Sequence, residues 1–90
     1  MIFKINKTTA KGFAEITTFS LAQYLRLVTI LIVHYGFRLK GEYIPPVTDE
    51  SIYPSLVCRQ ISILTGWNRW FGYYLLADAE ATDAFCRSPA

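Results

Sequence analysis

The side chains best suited to chemistry in this sequence are one histidine, two cysteines and a few carboxylates. His34 is the single histidine, and the cysteines are Cys58 and Cys86. A lone histidine on an apolar helix can bind a metal or titrate near neutral pH. However, no second histidine, cysteine or carboxylate stands at ligand spacing from His34. We therefore interpret His34 as a core or interface residue, and we expect no metal site and no cofactor.

Sequence patterns typical of catalytic sites are also missing. There is no glycine-rich phosphate loop and no nucleophile elbow. Asp49 and Glu50 are interpreted as a solvated pair, and Asp78 has no serine or histidine near it in the sequence. Asp78 falls on the apolar side of a predicted helix, so it pairs with a basic residue or the helix bends or ends there. We predict that the protein is not an enzyme.

The start of the chain and the overall charge set expectations for compartment and partners. The start, MIFKINKTT, has no long apolar stretch, so we expect no signal peptide, a cytoplasmic location and reduced thiols. The net charge is only +2, whereas nucleic-acid binders usually present a strongly basic face. Nucleic acid is therefore an unlikely partner.

The element that dominates the sequence is the apolar segment 21–37, which we predict to be one long helix. Ser20 is placed to cap its start, and Gly36 is placed to end it. At 100° per residue one side of this helix forms a normal core stripe. That stripe consists of Leu21, Tyr24, Leu25, Val28, Leu31, Ile32 and Tyr35.

The other side of the same helix is apolar too, because it carries Leu27, Ile30 and Val33. A helix that is apolar nearly all round needs cover on both sides. We expect the second side to be covered by a protein partner, most simply a second copy in a two-fold dimer. The alternative is that the N-terminal hairpin covers it, through Phe3, Ile5, Phe13 and Ile16.

Composition supports a partner for this small chain. Its 90 residues form one domain, residues 1–90, with 52% hydrophobic and 18% charged residues, whereas an average domain carries about 25% charged residues. The segment 21–37 is interrupted by Arg26 and His34, so we expect no transmembrane span. Peripheral contact with a membrane surface remains open.

The remaining pattern predicts an α+β fold that is mostly α. Residues 1–6 and 13–19 read as a strand and its hairpin partner, and residues 37–44 as a short strand or extended arm, ended by the prolines at 45 and 46. Two C-terminal helices are then predicted, over residues 54–64 and from 67 to about 85, separated by Thr65 and Gly66.

The aromatic cluster WNRWFGYY, residues 67–74, adds a candidate partner surface. On a helix, its aromatic residues Trp67, Trp70, Phe71 and Tyr74 would form the core stripe. Arg69, Tyr73 and Leu76 would lie on the opposite side, and we predict that they contact a partner.

Two functions follow from these observations. The first is a non-catalytic protein–protein interaction module, such as an accessory subunit, adaptor or small inhibitor, acting through an apolar and aromatic surface. The alternative is a small nucleic-acid-binding regulator of helix-turn-helix type. Its contacts would come from Asn68, Arg69, Lys4, Lys7 and Lys11.

Overall fold

The computed structural model describes residues 5–44 and 49–87. Within these ranges the chain forms six strands and two helices. In chain order they are β1 (Lys7–Thr8), β2 (Ala14–Thr18), α1 (Leu21–Tyr35), β3 (Arg38–Lys40), β4 (Glu50–Cys58), β5 (Ile61–Asn68), β6 (Gly72–Ala77) and α2 (Glu80–Arg87).

The strands form one antiparallel sheet in the order β1-β2-β6-β5-β4-β3. Leu75 pairs with Ile16 on one side and with Thr65 on the other, so these three side chains lie on the same face. Both helices pack on this face, because Leu31 of α1 and Cys86 of α2 belong to the same buried cluster as Leu75. We call this the covered face, and the opposite side of the sheet the open face.

The predicted long helix is confirmed as α1. The Ser20 hydroxyl accepts a hydrogen bond from the Gln23 N–H at 3.2 Å, which satisfies one free donor of the first turn. Gly36 ends the helix with φ at 75°, and its N–H bonds to the Leu31 carbonyl. Glycine adopts this left-handed conformation without steric cost.

Two of the predicted strands are also confirmed. The expected strand over residues 13–19 is β2, and the expected short strand within residues 37–44 is β3. The predicted first strand, residues 1–6, lies mostly outside the described residues, as do the prolines at 45 and 46.

The prediction of a mostly α fold is wrong. Residues 54–64 and 67–85 were expected to form two helices, but the chain from Glu50 to Ala77 forms the strands β4, β5 and β6. Only Glu80–Arg87 at the end of this region is helical. The fold is therefore α+β with a sheet as its main layer, and no helix-turn-helix exists in residues 54–85.

Alternation explains why this region is extended. Ile61, Ile63, Thr65 and Trp67 alternate with other residues at a period of two, and the first three are β-branched. Pro54 is tolerated inside β4 because the pairing with β5 shifts its register between Tyr53 and Leu56. Proline is confined to such irregular or edge positions, since it has no N–H to donate to the ladder.

Gly66, which was expected to break a helix, lies in the middle of β5. A Cβ atom at this position would come within 2.5 Å of both the Tyr74 hydroxyl and the Ser51 carbonyl oxygen. The Tyr74 ring lies across Gly66 on the neighbouring strand, so only glycine leaves room for it.

The second helix, α2, follows β6, and its side chains form hydrogen bonds with the backbone of two strands. The Thr82 hydroxyl accepts from the Ser62 N–H of β5 at 3.2 Å, and the Asp83 carboxylate accepts from the Ala14 N–H of β2 at 2.7 Å. Arg87 bonds to the same carboxylate at 2.8 Å. The Arg87 hydrogen bond, with a further contribution from the Ala14 N–H, lowers the pKa of Asp83. Side chains of α2 thus accept hydrogen bonds from backbone N–H groups of β2 and β5.

Candidate functional site

The inner side of α1 is fully occupied by the chain itself. Tyr24, Leu27 and Leu31 are buried, and Leu31 has no exposed surface. They pack against strand residues such as Ile16 and Leu75. This side of the helix packs against the sheet and therefore has no surface available to a partner.

The outer side of α1 is apolar and open. We define the outer seam as four residues: Leu21, Leu25, Val28 and Ile32. Leu21 and Leu25 are each 50% exposed, Ile32 is 37% exposed, and Val28 is half-buried. Their spacing is four, three and four residues, which is the spacing of the contact positions in helix–helix packing. The outer seam therefore has the pattern that a partner helix would contact.

Charge is almost absent around the outer seam. Arg26 is the only Asp, Glu, Lys or Arg residue of α1, although solvent-facing helix sides are normally rich in charged residues. Phe19, just before the helix, is 73% exposed, and Val33 is 71% exposed. The exposed surface of α1 thus combines several large apolar side chains with a few polar ones, and clustered exposed apolar side chains are typical of interaction sites.

A cluster of tyrosines supports the first turns of α1 from below. The Tyr24 ring stacks on Tyr73 of β6 with 5.1 Å between centroids, and it lies 5.8 Å from the Tyr53 ring of β4. Tyr43 extends the cluster from the β3–β4 connection, 5.4 Å from Tyr53. These rings give the helix a rigid aromatic base, so its outer side is presented in a fixed position.

Two hydrogen bonds in series also hold Tyr24 of α1 against the sheet. The Tyr24 hydroxyl and the Thr65 hydroxyl are 3.1 Å apart, and the Thr65 hydroxyl donates to the Pro54 carbonyl at 3.2 Å. Burial raises the pKa of Tyr24, and the hydrogen bond to Thr65 only partly offsets that effect. The phenol therefore stays protonated at physiological pH and donates a hydrogen bond to the Thr65 hydroxyl.

The residues with titratable groups do not assemble a reactive site. Cys58 and Cys86 are free thiols. Burial raises the pKa of Cys86, so this side chain stays protonated and is a poor nucleophile. Burial also raises the pKa of Glu15, partly offset by the positive charge of Lys7. Among the residues that the structure describes, no group of three or more His, Cys, Asp or Glu side chains could hold a metal ion.

The three predicted partner-binding residues of α1 are not on one surface. Leu27 is buried in the core, Ile30 is half-buried, and Val33 is exposed. The stripe that we assigned to the core is confirmed in part. Tyr24 and Leu31 are buried and Val28 packs against the core cluster, whereas Leu21, Leu25 and Ile32 are exposed. The spacing of the outer seam was visible in the sequence, but it did not reveal which residues of the stripe the sheet would cover.

The three predicted residues of the aromatic cluster are also separated. Tyr73 is half-buried on the covered face beneath α1, and Leu76 is half-buried on the open face. Arg69 is exposed in the β5–β6 turn and forms an ion pair with Asp49 at 3.0 Å. Only Arg69 and Val33 are well exposed, and they belong to different elements.

The residues proposed for nucleic-acid contacts have structural partners. The Asn68 side chain accepts from the N–H groups of Trp70 and Phe71, at 3.0 and 2.7 Å, and so forms the β5–β6 turn. The Lys7 ammonium lies 2.9 Å from the centroid of the Phe71 ring. Lys11 is exposed, and the residue at position 4 lies outside the described residues.

Comparison with known proteins gives no relative. No family model matches the chain, and neither a curated protein nor a solved structure matches it. No helix in the described ranges is both long enough and apolar enough to cross a membrane. Any functional conclusion therefore depends on the geometry of the chain itself.

Proposed function

We propose that this chain is a non-catalytic interaction module of the cytoplasm that associates with a second copy of itself through the outer seam. The single observation that carries the proposal is the exposed spacing of Leu21, Leu25, Val28 and Ile32 on a helix that the sheet already holds rigidly. Covering these side chains would remove apolar surface from water, which is the dominant favourable term in protein association.

A two-fold arrangement suits the seam because its spacing is symmetric about its own centre. When two copies of α1 run antiparallel, Leu21 faces Ile32 of the second copy and Leu25 faces Val28. The 15 residues of α1 span about 22 Å at 1.5 Å per residue, so all four positions fit within one contact. Such an interface is isologous and closes at the dimer.

Sedimentation equilibrium of three matched chains tests the proposal. The unmodified chain is expected to form dimers. Leu25→Glu places a charge in the centre of the seam, where its burial is unfavourable, so dimerisation should weaken about 100-fold or more. Val33→Glu adds the same charge to the same helix off the seam, and that variant should still dimerise. Circular dichroism checks that both variants remain folded.

The two variants show which side of the helix forms the dimer contact. If Val33→Glu dissociates the dimer and Leu25→Glu does not, the contact lies on the Val33 side and the outer seam is not the interface. A monomeric unmodified chain at all accessible concentrations would contradict self-association.

A further inference from the structure

The open face carries a cleft that the proposed dimer contact does not use. It has a volume of about 580 Å³ and lies where β3, β4 and the β4–β5 turn meet. Its lining residues include Arg38, Lys40, Ser55, Val57, Arg59 and Ser62. Three of these are basic and none is acidic. A volume of this order is typical of small-molecule sites.

Strand register shows how the cleft is built. Val57 pairs with Arg38 on one side and with Ser62 on the other, while Lys40 pairs with Ser55. Leu56, the neighbour of Val57, is completely buried in the core, so Val57 and its paired residues face the open side. The floor of the cleft is therefore strand surface, and cations line its β3 edge.

The cations of the cleft have no neutralising partner. Neither Arg38, Lys40 nor Arg59 forms an ion pair within residues 5–44 and 49–87. The other arginines of the sheet and of α2, Arg69 and Arg87, each bind a carboxylate. Three unpaired cations around one concave surface produce a positive potential that favours an anion.

Arg59 distinguishes this cleft from an ordinary charged sheet edge. Basic residues on edge strands commonly serve to prevent pairing with other chains, which would account for Arg38 and Lys40. Arg59, however, lies in the β4–β5 turn with φ at 56°, the only described residue other than glycine with positive φ. Asparagine or glycine would be the favoured residue there, and a strained conformation of this kind points to function.

We propose that Arg38, Lys40 and Arg59 form a binding site for the phosphate group of a small molecule. Arginine offers a planar fork of donors that matches phosphate oxygens, and lysine adds a mobile positive charge. The hydroxyl groups of Ser55 and Ser62 line the same cleft and supply neutral donors. The site is independent of the outer seam, because α1 packs on the covered face.

Isothermal titration calorimetry with pyrophosphate at physiological ionic strength tests the site, with a ten-nucleotide oligothymidylate as the second arm. Pyrophosphate is expected to bind with one site per chain. Arg59→Gly removes the guanidinium and relieves the backbone strain, so the variant should melt at the same or a higher temperature yet bind pyrophosphate about tenfold more weakly or worse. Arg38→Gln should weaken binding similarly. Arg26→Gln is the matched control, since it removes an exposed arginine from α1.

Each alternative result would overturn the proposal. If Arg59→Gly binds pyrophosphate as the unmodified chain does, Arg59 is a tolerated turn residue without a ligand. Equal weakening by Arg26→Gln would show general attraction by net charge. Binding of the oligothymidylate without binding of pyrophosphate would indicate a nucleic-acid backbone as the ligand, and binding of neither would show that no phosphate site exists.

Discussion

The two sides of α1 both carry large apolar residues, but their environments differ. On the inner side, Tyr24, Leu27 and Leu31 are buried against the sheet, while on the outer side Leu21 and Leu25 are half exposed. Both sides carry large apolar residues, although the exposed surface of the helix also carries polar ones. The apolar character of the inner side is explained by the core. That of the outer side is explained only in part, because the chain partly covers Val28 and Ile32 but leaves half of Leu21 and of Leu25 exposed.

This comparison shows that apolar residues on a helix need not all serve the same fold. A leucine that is half exposed contributes little to packing within the chain, because few neighbours surround it. If such residues form a row at helix-packing spacing, they stabilise the protein mainly when a partner helix packs against them. The two sides should therefore differ sharply in how substitutions affect stability and association.

The largest expected difference concerns two neighbouring residues, Leu31 and Ile32. Leu31 has no exposed surface, whereas Ile32 is 37% exposed. Leu31→Ala should lower the free energy of unfolding by about 2–5 kcal/mol, because it leaves a cavity in the core. Ile32→Ala should lower it by about 1 kcal/mol or less. Urea denaturation, measured at concentrations where the chain is monomeric, gives both values. Equal losses would mean that the outer side is packed in the monomer.

A smaller effect is expected from the hydrogen bond beneath α1. Tyr24→Phe keeps the ring but removes the hydroxyl that contacts Thr65. This should lower the free energy of unfolding by about 1 kcal/mol, the usual net value of one such bond. Tyr43→Phe is the matched control, because Tyr43 belongs to the same ring cluster but is 53% exposed. If both variants lose the same stability, the inner side is held by ring packing alone.

The smallest effect extends the comparison to the sheet and depends on pH. Burial raises the pKa of Glu15 in the folded chain, so on raising the pH the unfolded chain loses this proton first. The folded state then becomes less stable relative to the unfolded state as pH rises from the unfolded pKa through the folded one. Glu15→Gln removes this loss, so its stability advantage over the unmodified chain should grow from pH 4 to pH 7. Urea midpoints at the two pH values test the sign, and a shrinking advantage would contradict it.

Local signals in the sequence were sufficient to locate α1 and β2, but they missed β1 at Lys7–Thr8. Ser20 and Gly36 mark both ends of α1, and the alternation in residues 13–19 marks β2. In the second half, the β5–β6 turn has the turn residues Asn68 and Gly72, which we placed inside a helix, and the β4–β5 turn lacks the usual residues. The β4–β5 turn is Arg59-Gln60, without glycine, asparagine, aspartate or proline, so the two strands read as one continuous apolar segment.

The two proposed binding surfaces were harder to predict than the elements that carry them. Apolar periodicity placed Tyr24 and Leu31 correctly in the core, but it assigned Leu27 to a partner surface, whereas the sheet buries it. The basic cleft combines Arg38 and Lys40 with Arg59, which become neighbours only because β3 pairs with β4. Strand pairing over this distance is not contained in any local pattern, so the cleft could not be found from spacing alone.

The position of β6 has a consequence for how the protein is made. β6 is the last strand along the chain, yet it lies between β2 and β5 and joins them. Until residues 72–77 have left the ribosome, the first hairpin and α1 have no complete sheet to fold on. During synthesis both sides of α1 are therefore exposed together, and the chain passes through a stage at which it is open to aggregation and to capture by chaperones.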